Sequence, residues 1–423
     1  MVANPGQERS AAAVDGDARD AAGHASLQEG LARLASAGLR RILPPGRGDS
    51  GRSSFAGDWI ELSSNDYLGL SGASELVEAA TAAARMFGTG ARASRLICGN
   101  VAVHEALEAA LAEWKGTEAA LVFSSGYAAN VGVLTALAGP RDAIFSDALN
   151  HASLIDAGRQ SHALFVQYRH RDLEHLEALL TTRAVRGQRV IVSDTVFSMD
   201  GTVADLQGLL ELAERFDAWL VVDDAHGTGV AGSDGSGCWK HAGLGARERV
   251  VQIGTMSKAL GSQGGFAVGT RVVIDWLINK ARSFVFSTGL SPMLAGAGLA
   301  AVGMARARAD LRAIQQGHTA RLREALAGQG WKVLGESPAP MLGVVLGEPI
   351  AAVEAGLWLG ELGVGVGAVR PPTVPVGTSR LRLAPTGLQT QAEMQRVLEA
   401  FERLRAVRGL GVAPRPEAER EKS

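Results

Sequence analysis

Lys258 stands in GTMSKALGSQGG, residues 254–265, among four glycines and a crowd of small side chains, directly after the strand-like VVQIG. An amine with so little bulk around it is either a solvated turn lysine or a nucleophile and proton carrier with room to touch a substrate. What else converges on it decides between the two. In VVDDAHGTG, residues 221–229, an apolar run delivers Asp223, Asp224 and His226 at its carboxyl end. Alternation along a strand turns the two carboxylates to different sides. The trio supports three readings: ligands of a metal, carboxylates capping a turn or helix, or one buried aspartate facing a cation such as a protonated heterocyclic nitrogen. Burial alone would push that carboxylate toward neutrality, and a cation would hold it ionised.

Further candidates share this placement at strand ends. DALNHASLID puts His151, with Asn150 and Ser153, at the start of a helix that follows a strand. There the imidazole is either structural or set to stack on a flat ring or donate a proton. FSSGYAAN begins a helix near Ser125 to Tyr127, whose free amides would hold a phosphate. SDTVFSMDG adds Asp194 and Ser198 at the end of another strand. In RPPTVPVGTSRLRLAP, Pro371 and Pro372 stiffen the approach to a strand that carries Arg380 and Arg382 on one face. One of that pair either grips a carboxylate bidentately or sits as a solvated edge cation.

These residues need a frame. ASLQEGLARLASAGLRRI, 25–42, has the period of an amphipathic helix ending before Pro44 and Pro45, and DWIELSSNDYLGL follows as a short strand and turn. From Leu76 onward helical stretches alternate with short apolar runs, AALVFSS, DAIFSD, ALFVQY, RVIVSD, WLVVDDAH and VVQIG. That alternation predicts an α/β fold, a mostly parallel sheet covered by helices on both faces, with ligands gathered at the carboxyl ends of the strands. An alanine- and arginine-rich helical region then leads to MLGVVLG, VGVGAVR, SRLRLAP and a last helix, a smaller α+β unit. The expected divisions are a disordered 1–25, a helix and arm over 26–60, a large domain over 61–300, a small one over 301–412 and a disordered 413–423.

Bulk composition narrows the function classes. Forty-two basic residues balance forty-four acidic ones for a net charge of -2, so nucleic acid is not an expected partner. Two cysteines, Cys98 and Cys238, make neither a disulfide framework nor a cysteine-based metal cluster. No run approaches 18 apolar residues, and the first residues lack a secretory leader's basic start and apolar run, so a cytoplasmic protein without a membrane span is expected.

Lysine, strand-end acid, histidine, anion-binding helix start and carboxylate-binding arginine together fit one cofactor, pyridoxal 5'-phosphate. Lys258 would form the Schiff base and move protons. Asp223 would keep the pyridine nitrogen protonated. Thr255 and the amides of Gly126 and Tyr127 would hold the phosphate, and His151 would stack on the ring or direct the substrate.

The sequence resembles the α-oxoamine synthases, fold-type I pyridoxal phosphate enzymes of the aspartate aminotransferase-like class, over about residues 27–410. SSNDYLGL, NHASLID, FSMDG, DDAHGTG and TMSKALG occur in that family's order. The resemblance implies a decarboxylative condensation of an amino acid with an acyl thioester. It implies Lys258, Asp223 and His151 in the roles above, His226 and Ser198 near the cofactor's phenolic oxygen, and Gly126, Tyr127 and Thr255 on its phosphate. It further implies that Ser287 and Thr288 reach the neighbouring subunit's phosphate, hence a homodimer with shared sites. Asn65 and Arg382 match residues holding the amino acid's carboxylate, and Arg40 and Arg370 fall near the acyl-CoA side. RPPTVPVGTSRLR is most similar to the branch that joins L-alanine to a pimeloyl thioester of CoA or a carrier protein. Siblings using other pairs remain open, because LICGN resembles glycine acetyltransferases and LRLAPT leans toward 5-aminolevulinate synthases; a serine palmitoyltransferase-like activity belongs to the same set. Ala91, Arg92 and Ala93, and Asp194 where many members carry glutamate, depart from the family pattern and bear on the acyl substrate.

Overall fold

The computed structural model describes residues 24–43 and 59–408. The expected tail, and all but the last two residues of the expected disordered start, lie outside the described residues. Helix α1 covers 24–36, shorter than the periodicity predicts. Gly38 adopts φ +67, and the amides of Leu39 and Arg40 turn back onto Leu34 O at 2.8 and 3.0 Å. That left-handed glycine stops the helix six residues short of the expected end at Ile42.

After β1 (Ile60–Glu61) come α2 (Ser74–Phe87), α3 (Ala102–Lys115), β2 (Ala119–Phe123), α4 (Gly126–Leu137), β3 (Ala143–Asp147), α5 (Ala152–Gln160) and β4 (Leu164–Tyr168). Next are α6 (Leu173–Thr182), β5 (Arg189–Asp194), α7 (Leu206–Arg215), β6 (Trp219–Asp223), α8 (Cys238–His241), β7 (Val250–Thr255) and β8 (Gly265–Gly269). Seven strands form one sheet in the order β2-β8-β7-β6-β5-β3-β4. Every pairing is parallel except those of β8, which runs antiparallel between β2 and β7. GFAVG carries little strand pattern in the sequence, because this five-residue strand has a glycine at each end and follows the lysine loop without a helix between.

Side chains alternate across this sheet. Val190, Val192, Val221 and Ile253 pack on one face with Ala129 and Val133 of α4. Ile191, Leu220, Val222 and Val268 pack on the other with Leu209 and Leu212 of α7. The fully apolar strand faces follow from this double burial.

Helices α9 (Arg271–Lys280), α10 (Arg282–Val285) and α11 (Pro292–Ala307) return the chain over the sheet, and α12 (Ala309–Gly328) starts after a break at Arg308. Beyond it lie β9 (Val333–Leu334), β10 (Leu342–Gly347), α13 (Pro349–Glu361), β11 (Val364–Gly365), β12 (Gly367–Val369), β13 (Ser379–Leu383) and α14 (Gln391–Arg408). An antiparallel sheet β12-β13-β10-β9 and the parallel pair β1-β11 share a third core of Leu342, Val344, Leu381, Leu383, Trp331 and Phe401. Ile60 and Leu62 join this core, so the segment before Asn65 is anchored to the smaller unit while Tyr67 packs into the larger one. Among the described residues no helix is long and apolar enough to cross a membrane.

Candidate active site

Strands β2, β3, β5, β6 and β7 present their carboxyl ends on one side of the large sheet, and the chemistry-bearing residues follow those ends. A cavity of about 210 Å³ is lined there by Ser125, Gly126, Tyr127, Asn130, His151, Ser153, Asp194, Ser198, Asp223, Ala225, His226, Thr255, Ser257 and Lys258. Lys258 and Asp223, far apart in sequence, wall one space.

Asp223 is the last residue of β6 and turns toward α4. Its Oδ2 accepts from Asn130 Nδ2 at 2.7 Å and its Oδ1 from the amide of Ala225 at 2.9 Å. Asn130 Nδ2 also donates to Ser153 Oγ at 2.7 Å, and that hydroxyl lies 2.7 Å from His151 Nδ1. Asp224 faces the opposite way, as alternation predicts. It forms a fully enclosed ion pair with Lys115 at 2.8 Å and accepts from Thr195 Oγ1 at 2.7 Å and from the amide of Cys238 at 3.1 Å. Asp223, Asp224 and His226 therefore do not converge as ligands, and no metal-holding cluster is found among the described residues.

His151 caps α5. Its amide donates to Asp194 Oδ2 at 2.8 Å, and the Asn150 side chain ties the Asp194 amide (2.8 Å) to Val192 O (2.9 Å). The imidazole is thus held at the junction of β3 and β5. Burial and the neighbouring Asp223 charge push the Asp194 carboxyl well above the usual range, and burial lowers His151.

Lys258 Nζ lies 3.0 Å from His226 Nε2. The residue keeps partial exposure, yet burial of its amine outweighs the attraction of Asp223 and Asp194 and brings it down to about 8. His226, enclosed and surrounded by Lys258 and Arg382, is held well below its ordinary value, so it is neutral. Its Nδ1 lies 2.6 Å from the hydroxyl of Tyr67.

At the opposite end Ser125 caps α4, accepting from the amide of Ala128 at 3.1 Å. A Cβ on Gly126 would stand 3.3 Å from Thr255 Cβ, so glycine brings the helix start directly against the end of β7. Thr255 Oγ1 and Ser257 Oγ lie 2.8 Å apart beside it.

Arg382 is buried in β13. It donates to Ser198 O at 2.7 Å, Asn65 Oδ1 at 2.9 Å and the Tyr67 hydroxyl at 3.0 Å. Arg380, on the same face, pairs with Asp200. A second cavity, about 540 Å³, shares His151 and Ser198 with the first and extends past Ile155, Phe197, Val374 and Pro375 to Arg41. Arg40 is exposed and lines neither cavity; Arg41, whose Nη2 donates to Thr373 Oγ1 at 3.0 Å, does. Arg370 donates to Gly38 O at 2.6 Å and lines neither cavity. Ser287 and Thr288 are likewise away from both cavities of their own chain. Tyr67, Asn130, Ser257 and Arg41 join these surroundings without being among the residues expected from the sequence. A buried asparagine in an otherwise apolar helix was the legible signal for one of them.

A model of the aminotransferase class I and II family matches residues 57–401. The chain belongs to that family. Within the family, 8-amino-7-oxononanoate synthase 1 of a Polaromonas species is 47% identical over 352 residues, covering 82% of this chain and 86% of that protein. The 8-amino-7-oxononanoate synthase of Herminiimonas arsenicoxydans is 45% identical over 347 residues, covering 81% and 89%. Among solved structures, serine palmitoyltransferase of Sphingomonas wittichii superposes with a TM-score of 0.79 at 31% identity, covering 83% of this chain and 88% of that one. The 8-amino-7-oxononanoate synthase of Francisella tularensis superposes at 0.73 with 25% identity, covering 83% and 99%. The fold is fold-type I, as the resemblance to the α-oxoamine synthases implied.

Proposed function

We propose that this aminotransferase-family member condenses L-alanine with a pimeloyl thioester, of CoA or a carrier protein, releasing CO2, free thiol and 8-amino-7-oxononanoate, a step of biotin synthesis. The class of reaction, joining an amino acid to an acyl thioester with pyridoxal 5'-phosphate, is that of the relatives. The choice of substrates rests on the 45–47% identity to 8-amino-7-oxononanoate synthases. The observation that carries the site assignment is that Lys258 and Asp223 wall the same small cavity.

The donor set fits the cofactor. Lys258 offers an amine lowered to about 8, and Asp223, braced by Asn130 and Ala225, offers a carboxylate to a ring nitrogen. The start of α4 with Ser125, Thr255 and Ser257 offers amides and hydroxyls to a phosphate. Asn130 Oδ1 is buried without a partner, an acceptor left over for a donor in that space. When bound, pyridoxal 5'-phosphate supplies a ring that takes up the electron pair left on the α-carbon.

The chain's own residues do the rest. Arg382 and Asn65 hold the alanine carboxylate, the guanidinium in a fixed fork. Lys258 Nζ, neutral in much of its population near pH 8, takes and returns the α-proton. His151, at the boundary of the two cavities, donates toward the thioester oxygen as negative charge develops there. The second cavity, apolar along Ile155, Phe197 and Val374 and lined also by Arg41, receives the acyl chain. Arg370, which holds Gly38 O of the N-terminal segment, and the exposed Arg40 are the residues assigned to the acyl-CoA side in this proposal. A homodimer in which Ser287 and Thr288 complete the partner's phosphate site, and a cytoplasmic setting, belong to the same proposal.

Serine palmitoyltransferase-like use of another amino acid and a longer acyl chain is the second reading, favoured by the close superposition on that enzyme. Kinetic comparison of alanine with serine and glycine, each against pimeloyl- and palmitoyl-CoA, separates the two. Preference for serine and palmitoyl-CoA would reject the first.

A further inference from the structure

Tyr67 is fully buried, and its hydroxyl meets three polar groups: His226 Nδ1 at 2.6 Å, Arg382 Nη2 at 3.0 Å and Asn65 Oδ1 at 3.1 Å. A phenol has one hydrogen to give. Arg382 only donates, so it occupies a lone pair on the phenol oxygen. The hydrogen of Tyr67 then goes to Asn65 Oδ1 or to His226 Nδ1. Asn65 Oδ1 already accepts from Arg382 at 2.9 Å, and the contact to His226 is shorter by half an ångström. A neutral imidazole carries its hydrogen on one nitrogen and a lone pair on the other, so the partner of one nitrogen sets the state of the other.

We propose that Tyr67 donates to His226 Nδ1 and is thereby a positioning residue that fixes the His226 hydrogen on Nε2, the nitrogen facing Lys258. Burial favours both neutral partners, raising the phenol and lowering the imidazole. With its hydrogen on Nε2, His226 is a donor into the cavity and not a base, which leaves proton removal to Lys258. The same phenol is held by Arg382, so the carboxylate-gripping end of the site and its proton-handling end share one hydrogen-bond chain, Arg382 to Tyr67 to His226, and its last link, from His226 Nε2 to Lys258 Nζ, forms when that amine is neutral, above about pH 8. The catalytic meaning of this chain rests on the function proposed above; the tautomer does not.

Nitrogen-15 NMR of the cofactor-loaded protein, labelled in histidine, tests it directly. The His226 signals are assigned by their loss in His226→Asn. The unmutated protein is expected to show hydrogen on Nε2 and an acceptor-type Nδ1. Tyr67→Phe is expected to mix the tautomers and raise the KM for the amino acid about tenfold, more than it lowers kcat. A hydrogen on Nδ1 in the unmutated protein overturns the proposal without any variant having to fold. So does a Tyr67→Phe protein with unchanged tautomer and KM. Neither result touches the choice of substrates, which is read from product identity.

Discussion

A lysine amine walled in beside a carboxylate feels two opposed influences, and here burial outweighs the charge. Its value of about 8, against an ordinary 10.5, means that the neutral, reactive form gains population as pH rises through about 8. Labelling of the cofactor-free protein by an amine-directed reagent, read by peptide mapping to separate lysines from the α-amino group, is expected to show one lysine with a midpoint near pH 8, absent from Lys258→Ala. A midpoint in the range of exposed lysines would remove the electrostatic basis of the site. Arg382 makes three hydrogen bonds that a lysine's single ammonium does not reproduce. Arg382→Lys is expected to raise the KM for the amino acid about 10- to 100-fold, the range for losing a charge-assisted bond, with less effect on the KM for the thioester; steady-state kinetics with each substrate varied checks this. Lys258, Asp223, His151 and His226, distinctive residues at or just after predicted strand ends, wall one cavity, whereas Arg382, expected on the face of a strand, meets that cavity's lining through Ser198 O. Tyr67 was not expected there, because a tyrosine in SSNDYLGL reads as core. Only tertiary structure brings its hydroxyl to an imidazole 159 positions away.

The elements act by bringing backbone close to backbone. Strand β8 fills the gap between β2 and β7, and a Cβ on Gly265 would fall 2.3 Å from Ser125 O and 2.6 Å from Gly126 Cα. Neither atom belongs to a flexible side chain that could move aside. Gly265→Ala is therefore expected to push the start of α4 away from Thr255, cost about 1–3 kcal/mol of stability and weaken cofactor binding. Denaturant unfolding and cofactor titration measure the two effects, and an unchanged affinity would show that the α4 start does not hold the phosphate. The alternating helices and parallel strands were legible from apolar runs and their spacing. Strand β8 was not, since five residues ending in glycine on both sides carry little strand pattern, and its place between two parallel neighbours is decided by pairing partners distant in sequence. The early end of α1 likewise depends on Gly38 taking a left-handed conformation that periodicity does not report.

At the scale of the whole molecule, the smaller unit brings Arg382 against Ser198 O and the loop from Pro372 to Pro375 into the lining of the second cavity, so residues of both units meet beside the larger sheet. Ser287 and Thr288 lie away from their own chain's cavities, which suits the proposed exchange between protomers. Co-expression of Lys258→Ala with the double variant Ser287→Ala/Thr288→Ala is expected to restore about half the activity per mixed dimer, since one of its two sites is then intact. Mixed dimers without activity would place both residues outside the partner's site. The central claim is tested most directly by the mass of the product formed when alanine, glycine and serine are offered together with acetyl-, succinyl-, pimeloyl- and palmitoyl-CoA. The account predicts one dominant mass, that of alanine joined to pimeloyl with loss of CO2, and its absence from Lys258→Ala. A dominant product built from another pair would refute the proposed substrates, and an amino-group exchange without CO2 release would contradict the condensation itself.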